Sequence, residues 1–182
     1  MRHVIVGSFV LGLCGIVPVA ATAQGRVPHS ESSSVGLDVG AFMPSGDRLD
    51  NAPAISGFYE YYVTPRVSLR PSLGWSDSNL AGSADSLRQV PVRLDLNYNW
   101  EGGKWHPFVG TGVGVYIMQL RHDGQSVGDS QNKLGLNVGG GVEYFVHRTV
   151  ALKGEGRYHA IQDFPGIDPS GLVLSVGLKT YF

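Results

Sequence analysis

The sequence predicts an all-β fold, an eight-stranded antiparallel up-and-down transmembrane β-barrel with a filled polar interior. Three observations support this prediction. Apolar and polar residues alternate in segment after segment, short turns alternate with longer polar loops between the segments, and charges occupy only the polar positions of the predicted strands. A period of two is that of a strand whose two faces meet different surroundings.

The composition indicates one domain and narrows the class of protein. A chain of 182 residues with a formal net charge of -1 shows no basic excess for nucleic acid, so no nucleic-acid partner is expected. The 26 glycines and the low charged fraction of 16% favour strands over amphipathic helices.

Residues 1–23 have the pattern of a secretory signal peptide. Arg2 is followed by an apolar run over 4–17, and Ala21-Thr22-Ala23 provides a small-x-small cleavage site, so the mature chain is predicted to start at Gln24. The apolar run is too short to cross a bilayer as a helix. Residues 24–34 are polar and rich in serine, and they are predicted to form a flexible lead-in.

The single cysteine, Cys14, lies inside the predicted signal peptide. The preceding Leu11-Gly12-Leu13 has a bulky leucine where a lipidation motif needs a small residue, so no lipid anchor is expected. The mature chain would then contain no disulfide. An exported chain without disulfides suits a bacterial envelope rather than a small secreted domain held by disulfides.

Eight strands are predicted after the lead-in. They cover 35–43, 55–63, 67–75, 89–100, 108–117, 134–146, 150–159 and 171–182. The apolar positions have odd numbers in the first three and the fifth, and even numbers in the others. Pro71 has no N–H for a ladder, so it predicts a bulge or an interrupted ladder in the third strand.

The connections between these strands are of two kinds. Turns are predicted at 64–66, 101–105 and 147–149, and longer polar loops at 44–53, 76–86, 119–132 and 160–170. All turns fall at one end of the predicted barrel and all loops at the other, because consecutive strands run in opposite directions. Both chain ends of the barrel then lie on the turn side.

The polar positions of the strands hold equal numbers of acids and bases. The acids are Asp38, Glu60, Asp95, Glu143 and Glu155, and the bases are Arg70, Arg93, Lys153, Arg157 and Lys179. An eight-stranded barrel is only wide enough inside for side chains. Ten charges in that space must be paired, because an unpaired buried ion costs several kcal/mol. The prediction is therefore a plugged barrel and not an open pore.

Aromatic residues on the apolar face gather at the strand ends. They are Tyr61, Tyr98, Trp100, Tyr144 and Phe182 on the turn side, and Trp75 and Tyr158 on the loop side. Such girdles mark the two membrane interfaces of an outer-membrane barrel. Leu94, Val113 and Leu174 should then face lipid. A soluble lipocalin-like carrier, with the two faces exchanged, is the alternative.

From 34 to 182 the chain resembles the small eight-stranded outer-membrane barrels of the OmpA-transmembrane-domain and OmpX type. The resemblance rests on the leader, the alternation, the segment His106-Pro-Phe-Val-Gly-Thr-Gly-Val-Gly-Val and the final Lys179-Thr-Tyr-Phe. It implies that Phe182 is recognised by the outer-membrane assembly machinery, and that Tyr144 and similar girdle residues anchor the barrel in the membrane. It also implies a monomer surrounded by outer-membrane lipids and lipopolysaccharide. No peptidoglycan-binding domain follows Phe182 here, so tethering of the cell wall is not expected.

No catalytic, cofactor or metal residue is predicted. His159 lies where a lipid A deacylase of the PagL type carries a His-x-Ser motif, but the segment here is His159-Ala160-Ile161, without the nucleophilic serine. His159 is instead expected at the rim, paired with Asp163 or Glu155. His106, His122 and His147 show no metal-ligand spacing. The mid-strand glycine runs precede no helix and are not phosphate loops.

The sequence thus favours a non-catalytic barrel with a structural or surface-interaction role through its loops. A lipid A-modifying enzyme, a soluble small-ligand carrier and a narrow channel remain as alternatives. The acidic residues of the predicted loops also suggest binding of divalent cations. These residues are Asp47, Asp50, Asp77, Asp85, Asp123, Asp129, Asp163 and Asp168.

Overall fold

A computed structural model describes residues 28–100 and 103–182 of the chain. The predicted signal peptide, 1–23, and the first part of the predicted lead-in, 24–27, lie outside these residues, so the division of the chain remains a prediction. Within the described ranges no helix has the length and hydropathy needed to cross a bilayer.

The described residues form nine strands of one antiparallel sheet. They are β1 (Ser33–Pro44), β2 (Ala52–Tyr62), β3 (Val67–Asn79), β4 (Asp85–Asn99), β5 (Trp105–His122), β6 (Gln125–Ser126), β7 (Gln131–Phe145), β8 (Val150–Ile161) and β9 (Gly171–Tyr181). The order is β4-β3-β2-β1-β9-β8-β7-β5, and β5 pairs back with β4, which closes the barrel. The short β6 pairs with the end of β5. The predicted eight-stranded up-and-down barrel is confirmed.

The two faces of the barrel have the predicted orientation. The side chains of Leu94, Val113 and Leu174 point outward and are about half exposed, whereas those of Glu143 and Lys179 are almost fully buried in the lumen. An apolar exterior around an ionic interior requires lipid outside. The alternative of a soluble carrier is therefore wrong.

The predicted aromatic girdles lie on the outer surface near the strand ends. On the turn side the rings of Tyr98 and Trp100 meet edge to face at 5.0 Å, and those of Trp105 and Tyr144 lie 4.6 Å apart. Rings with an apolar body and a polar edge are stable at the membrane interface. The girdles therefore locate the two boundaries of the spanning region.

Two predicted loops are too long. Residues 76–79 continue β3 and 85–88 begin β4, so only 80–84 remain a loop. Likewise β5 runs to His122 and β7 begins at Gln131, with β6 between them. The alternation continues above the membrane with polar residues outside, as in the cross-strand pair Asp77 and Arg88. The polar composition of these residues predicted a loop, whereas the structure has strands whose outer face is polar.

Smaller differences occur at other strand ends. Trp105, predicted in a turn, begins β5, and Ser33 and Ser34, assigned to the lead-in, begin β1. The preceding residues are also tied to the sheet, since the amide of Glu31 donates to the carbonyl of Tyr62 at 2.8 Å.

Pro71 interrupts the ladder between β2 and β3, as predicted. Phe58 pairs with Ser72 and Tyr61 with Leu69, with no registered pair between them. The register is the same on both sides of this gap, so the proline breaks the ladder without a bulge.

Candidate functional site

The turn-side half of the lumen is held by an ionic cluster centred on Lys179. The Nζ atom of Lys179 lies 2.7 Å from the Glu143 carboxylate and also donates to Glu60 and to the hydroxyl of Tyr62. The hydroxyl of Tyr181 donates to the other oxygen of Glu143. Each carboxylate therefore has several donors, which offsets its loss of water.

A second group of ion pairs lies around Glu155. Its carboxylate accepts from Arg70 at 3.0 Å, from Lys153 at 2.7 Å and from Arg157. Lys153 also contacts Asp38 at 2.7 Å. These contacts link β1, β3 and β8 across the barrel. The predicted pairing of lumenal acids with bases is therefore realised here.

The pairing loosens at Arg93, farther toward the loops. Its Nη1 atom lies 3.7 Å from Asp95, which exceeds a hydrogen-bond distance, and its Nε atom has no partner in the described part of the chain. Asp95 itself accepts from the side-chain amide of Asn137 at 2.8 Å. Arg93 is thus the least neutralised cation among the lumenal bases described.

Glycines on the inner face of β5 make room for these side chains. A Cβ atom on Gly112 would lie 2.2 Å from a carboxylate oxygen of Asp95, and one on Gly110 would lie 2.0 Å from the Asn97 side chain. The close approach of side chain to backbone explains why residues without a Cβ occupy these positions.

Apolar clusters close the lumen at both ends. The turn-side cluster consists of Tyr62, Ala151 and Tyr181, with Phe145 packed against them. The loop-side lid is larger, and Leu80 and Leu120 pack against it. Its buried members are Leu49, Leu87, Tyr116, Met118, Ile161, Phe164 and Ile167. Several lid residues come from segments that were predicted to be polar loops.

A cavity of about 60 Å³ lies between the loop-side lid and the ion pairs. Arg93, Arg157, Gln89 and His159 line it together with serine side chains. Its volume is sufficient for about four water molecules. This lumenal cavity is a site where polar side chains converge on free space, and the sequence alone did not predict it.

His159 is not the rim residue that the sequence suggests. Its side chain is buried in the lumen, and Nδ1 lies 2.6 Å from the hydroxyl of Tyr116 instead of pairing with Asp163 or Glu155. The alternation predicts that Tyr116 lies on the inner face of β5. It does not predict that Tyr116 and His159 on β8 lie at the same level along the barrel axis. The predicted pairing of His159 is wrong for that reason.

The outer surface changes character above the loop-side girdle. Apolar positions on β3, β4 and β5 end at Trp75, Val90 and Ile117, and polar residues follow them along the same outward rows. This polar collar consists of Asp77, Arg88, Gln119 and Arg121. The carboxylate of Asp77 accepts from Arg88 at 3.4 Å and from Arg121 at 3.1 Å. One acid between two bases leaves the collar net positive.

The tip of the β4–β5 hairpin carries a hydrogen-bonded acid and histidine. His122 Nδ1 lies 2.6 Å from a carboxylate oxygen of Asp85. This hydrogen bond, with the nearby charge of Asp123, raises the pKa of His122 above its ordinary value. The same hydrogen bond and a second one from Ser83 lower the pKa of Asp85.

Among the described residues, no group of three or more His, Cys, Asp or Glu side chains is arranged to hold a metal ion. The acidic residues proposed to bind divalent cations are spread over separate loops, and Asp77 and Asp85 are engaged by the partners given above.

A closed barrel with an apolar exterior, two aromatic girdles and an ionic lumen defines an integral outer-membrane β-barrel protein. The model of the family described as "Outer membrane protein beta-barrel domain" matches residues 9–181. The chain belongs to this family, and the outer membrane is its location. No curated protein sequence matches the chain.

Solved structures of other small barrels resemble it in fold. The N-terminal barrel domain of OprF from Pseudomonas aeruginosa has a TM-score of 0.61 at 15% identity, over 84% of this chain and 98% of that one. Neisserial surface protein A has a TM-score of 0.61 at 18% identity, over 83% and 96%. Ail of Yersinia pestis has a TM-score of 0.58 at 17% identity, over 84% and 99%. At these identities the likeness extends to the fold.

Proposed function

We propose that this outer-membrane barrel is a closed, non-catalytic protein that acts through its loop-side surface. The main observation is the filled lumen, with an apolar cluster at each end and ion pairs between them. Such a lumen favours a structural or surface-interaction role over conduction. The surfaces available for interaction are then the lipid-facing belt and the loop side.

The environment of His159 supports a non-catalytic role. A serine–histidine hydrolase needs the serine hydroxyl within hydrogen-bond reach of the imidazole. Here the Nδ1 partner is the phenol of Tyr116, and Ser170 is bound to the backbone of Ile161 at 3.1 Å. A lipid substrate in the outer leaflet would also have to reach a side chain that is only 4% exposed inside the barrel.

The loop side is rigid enough to present a surface. β4, with 15 residues, and β5, with 18, are longer than the roughly 9–11 that a tilted strand needs to cross hydrocarbon. Their ladder continues as far as the pair Asp85 and His122. The upper parts of these strands therefore form a hydrogen-bonded platform beyond the membrane, which favours recognition without an ordering cost.

The polar collar supports contact with lipopolysaccharide phosphates. Arg88 and Arg121 point outward directly above the apolar belt, where anionic head groups lie, and guanidinium groups bind phosphate in a bidentate manner. In vesicles containing lipopolysaccharide, an Arg88→Gln/Arg121→Gln variant should lose most of the salt-sensitive lipid binding of the native protein. Arg148→Gln, at an exposed turn-side position, is the matched control. Equal binding by all three proteins would contradict the contact.

Phe182 is proposed as the contact with the assembly machinery. Its side chain is 56% exposed on the lipid-facing side, while its amide donates to the carbonyl of Ser33 at 2.9 Å. Phe182→Ala should lower the amount of barrel in the outer membrane but leave refolding in detergent unchanged, and Phe182→Tyr should behave like the native protein. A refolding defect equal to the cellular defect would indicate a role in stability alone.

Two measurements test the closed, non-catalytic barrel. The purified protein in planar bilayers should give no unitary current steps, and lipid A from cells that overproduce it should keep all its acyl chains in mass spectra. Current steps would contradict the closed lumen. Lipid A from cells without the protein is the reference. Loss of an acyl chain that requires both the protein and His159 would show an enzyme.

A further inference from the structure

The lumenal cavity contains polar atoms that the rest of the lumen does not engage. The side chains of Gln89, Arg93 and His159 are each at least nine-tenths buried, with 3%, 10% and 4% exposure. Gln89 Nε2, Arg93 Nε and His159 Nε2 have no hydrogen-bond partner within the described residues. Buried polar groups in native proteins are normally paired, so three unpaired atoms around one cavity point to a ligand.

Three of the four unpaired atoms around the cavity are nitrogen donors, and the fourth is the carboxylate oxygen Oδ1 of Asp38. Arg93 and Gln89 offer N–H groups as donors. When the Tyr116 hydroxyl donates to Nδ1 of His159, the imidazole carries its proton on Nε2, which becomes a third donor. Hydroxyl groups of Ser56, Ser76 and Ser175 also line the cavity. A set rich in donors suits an acceptor.

The local charge has the same preference. Glu155 and Asp38 also line the cavity. Glu155 already accepts from three bases, and Oδ2 of Asp38 accepts from Lys153 at 2.7 Å, while Oδ1 of Asp38 has no partner within the described residues. Arg157 also lies 3.7 Å from Asp95 but has a close contact with Glu155, whereas for Arg93 the 3.7 Å contact with Asp95 is the shortest to a carboxylate among the described residues. The guanidinium of Arg93 therefore keeps most of its capacity to bind an anion.

We propose that the lumenal cavity binds one small free oxyanion, of the size of phosphate or a short carboxylate, anchored on Arg93. Gln89 and His159 supply the further hydrogen bonds. A volume of about 60 Å³ admits such an ion but not a lipid head group with its acyl chains. The site is independent of the proposed surface role, because it lies beneath the loop-side lid and does not reach the collar.

The test is a titration of the full-length barrel in zwitterionic micelles with inorganic phosphate at constant ionic strength. Chemical shifts of the His159 ring and of amides beside the cavity, such as Gly74, report occupancy. The native protein should show saturable shifts. Arg93→Gln should weaken binding at least about tenfold, the effect of one lost charged hydrogen bond. Arg148→Gln, at an exposed turn-side position, should bind as the native protein does.

Other outcomes overturn the proposal. Shifts that do not saturate, or equal weakening by Arg148→Gln, would show that phosphate acts only through the surface charge. If Arg93→Gln fails to fold, Gln89→Leu decides the matter, since unchanged affinity in that variant excludes the site. The same shifts in vesicles that contain phosphatidylglycerol but no inorganic phosphate would assign the contact to a lipid.

Discussion

Lys179 and Glu143 form an ion pair of 2.7 Å between β9 and β7, with side chains that are 0% and 1% exposed. The pair lies inside a ring of hydroxyl and carboxylate groups that includes Glu60. Removal of the ammonium group would leave two carboxylates facing each other without water. The lumen therefore depends on this cation more than on any exposed charge.

Lys179→Met should destabilise the barrel by about 3–5 kcal/mol, because it leaves the buried carboxylate of Glu143 without its cation, although Glu60 keeps Arg70 at 3.1 Å. The measurement is urea unfolding in lipid vesicles, followed by the gel shift between folded and unfolded forms. Arg148→Met, at an exposed turn position, should leave the midpoint unchanged. The double variant Lys179→Met/Glu143→Gln should recover part of the loss, and a double variant no more stable than the single one would contradict pairing as the cause.

Gly112 and Gly154 should respond in opposite ways to alanine. A methyl group on Gly112 would collide with Asp95, whereas one on Gly154 meets no atom within 4 Å. Gly112→Ala should cost about 1–3 kcal/mol through overpacking. Gly154→Ala should be neutral or stabilise by up to about 1 kcal/mol, since it reduces the freedom of the unfolded chain. Equal unfolding midpoints for both variants would contradict the described packing of β5.

Lysine on the lipid face should be tolerated according to its depth. Leu94 lies in the middle of the outward row of β4, and the exposed Val146 directly follows the turn-side end of β7. Leu94→Lys should destabilise the barrel by about 2–4 kcal/mol and Val146→Lys by about 0–1 kcal/mol. Unfolding in vesicles measures both. A larger effect at Val146 would place the membrane boundary elsewhere on the barrel.

The hairpin tip should show a local dependence on pH. Because the pKa of His122 is raised, protonated His122 stabilises the hairpin tip. This stabilisation is complete below the ordinary histidine pKa and is lost as pH rises through the raised value. The contribution of Asp85, whose pKa is lowered, is lost as pH falls through that lowered value. An NMR titration of the His122 ring should show a lower pKa in Asp85→Asn and no change in Asp129→Asn. An unchanged pKa in Asp85→Asn would exclude the hydrogen bond in solution.

The architecture was predictable because a period of two assigns every residue of a strand to one face. This parity assigns Leu94 and Lys179 to opposite faces, and the aromatic girdles then favoured the outward position for Leu94. Which partners meet across the lumen did not follow, since that depends on the heights of strands far apart in sequence. The pair formed by Tyr116 and His159 and the loose contact of Arg93 are examples, and so is the cavity that they line.

The loop-side lid shows a different limit of sequence reasoning. Leu49, Phe164 and Ile167 are isolated apolar residues within polar segments, without any periodicity. In the structure they share one buried cluster, and two isolated bridges, Leu49 with Leu80 and Phe164 with Ile167, order their segments. Polar composition therefore indicated a solvated loop where part of the segment turns inward.

The seam of the barrel has a consequence for its biogenesis. β1 pairs with β9 along its whole length, and Ser33 and Phe182 exchange two backbone hydrogen bonds at 3.1 and 2.9 Å. Of the barrel strands, β1 is synthesised first but can pair with β9 only after all the others have been made. Until then, a partial sheet inside hydrocarbon would expose the unpaired backbone groups of two edge strands. Insertion into the membrane must accordingly follow synthesis of the barrel strands. A circularly permuted gene that joins the two ends of the barrel, at Ser33 and Phe182, and opens the chain at 80–84 should yield the same closed barrel.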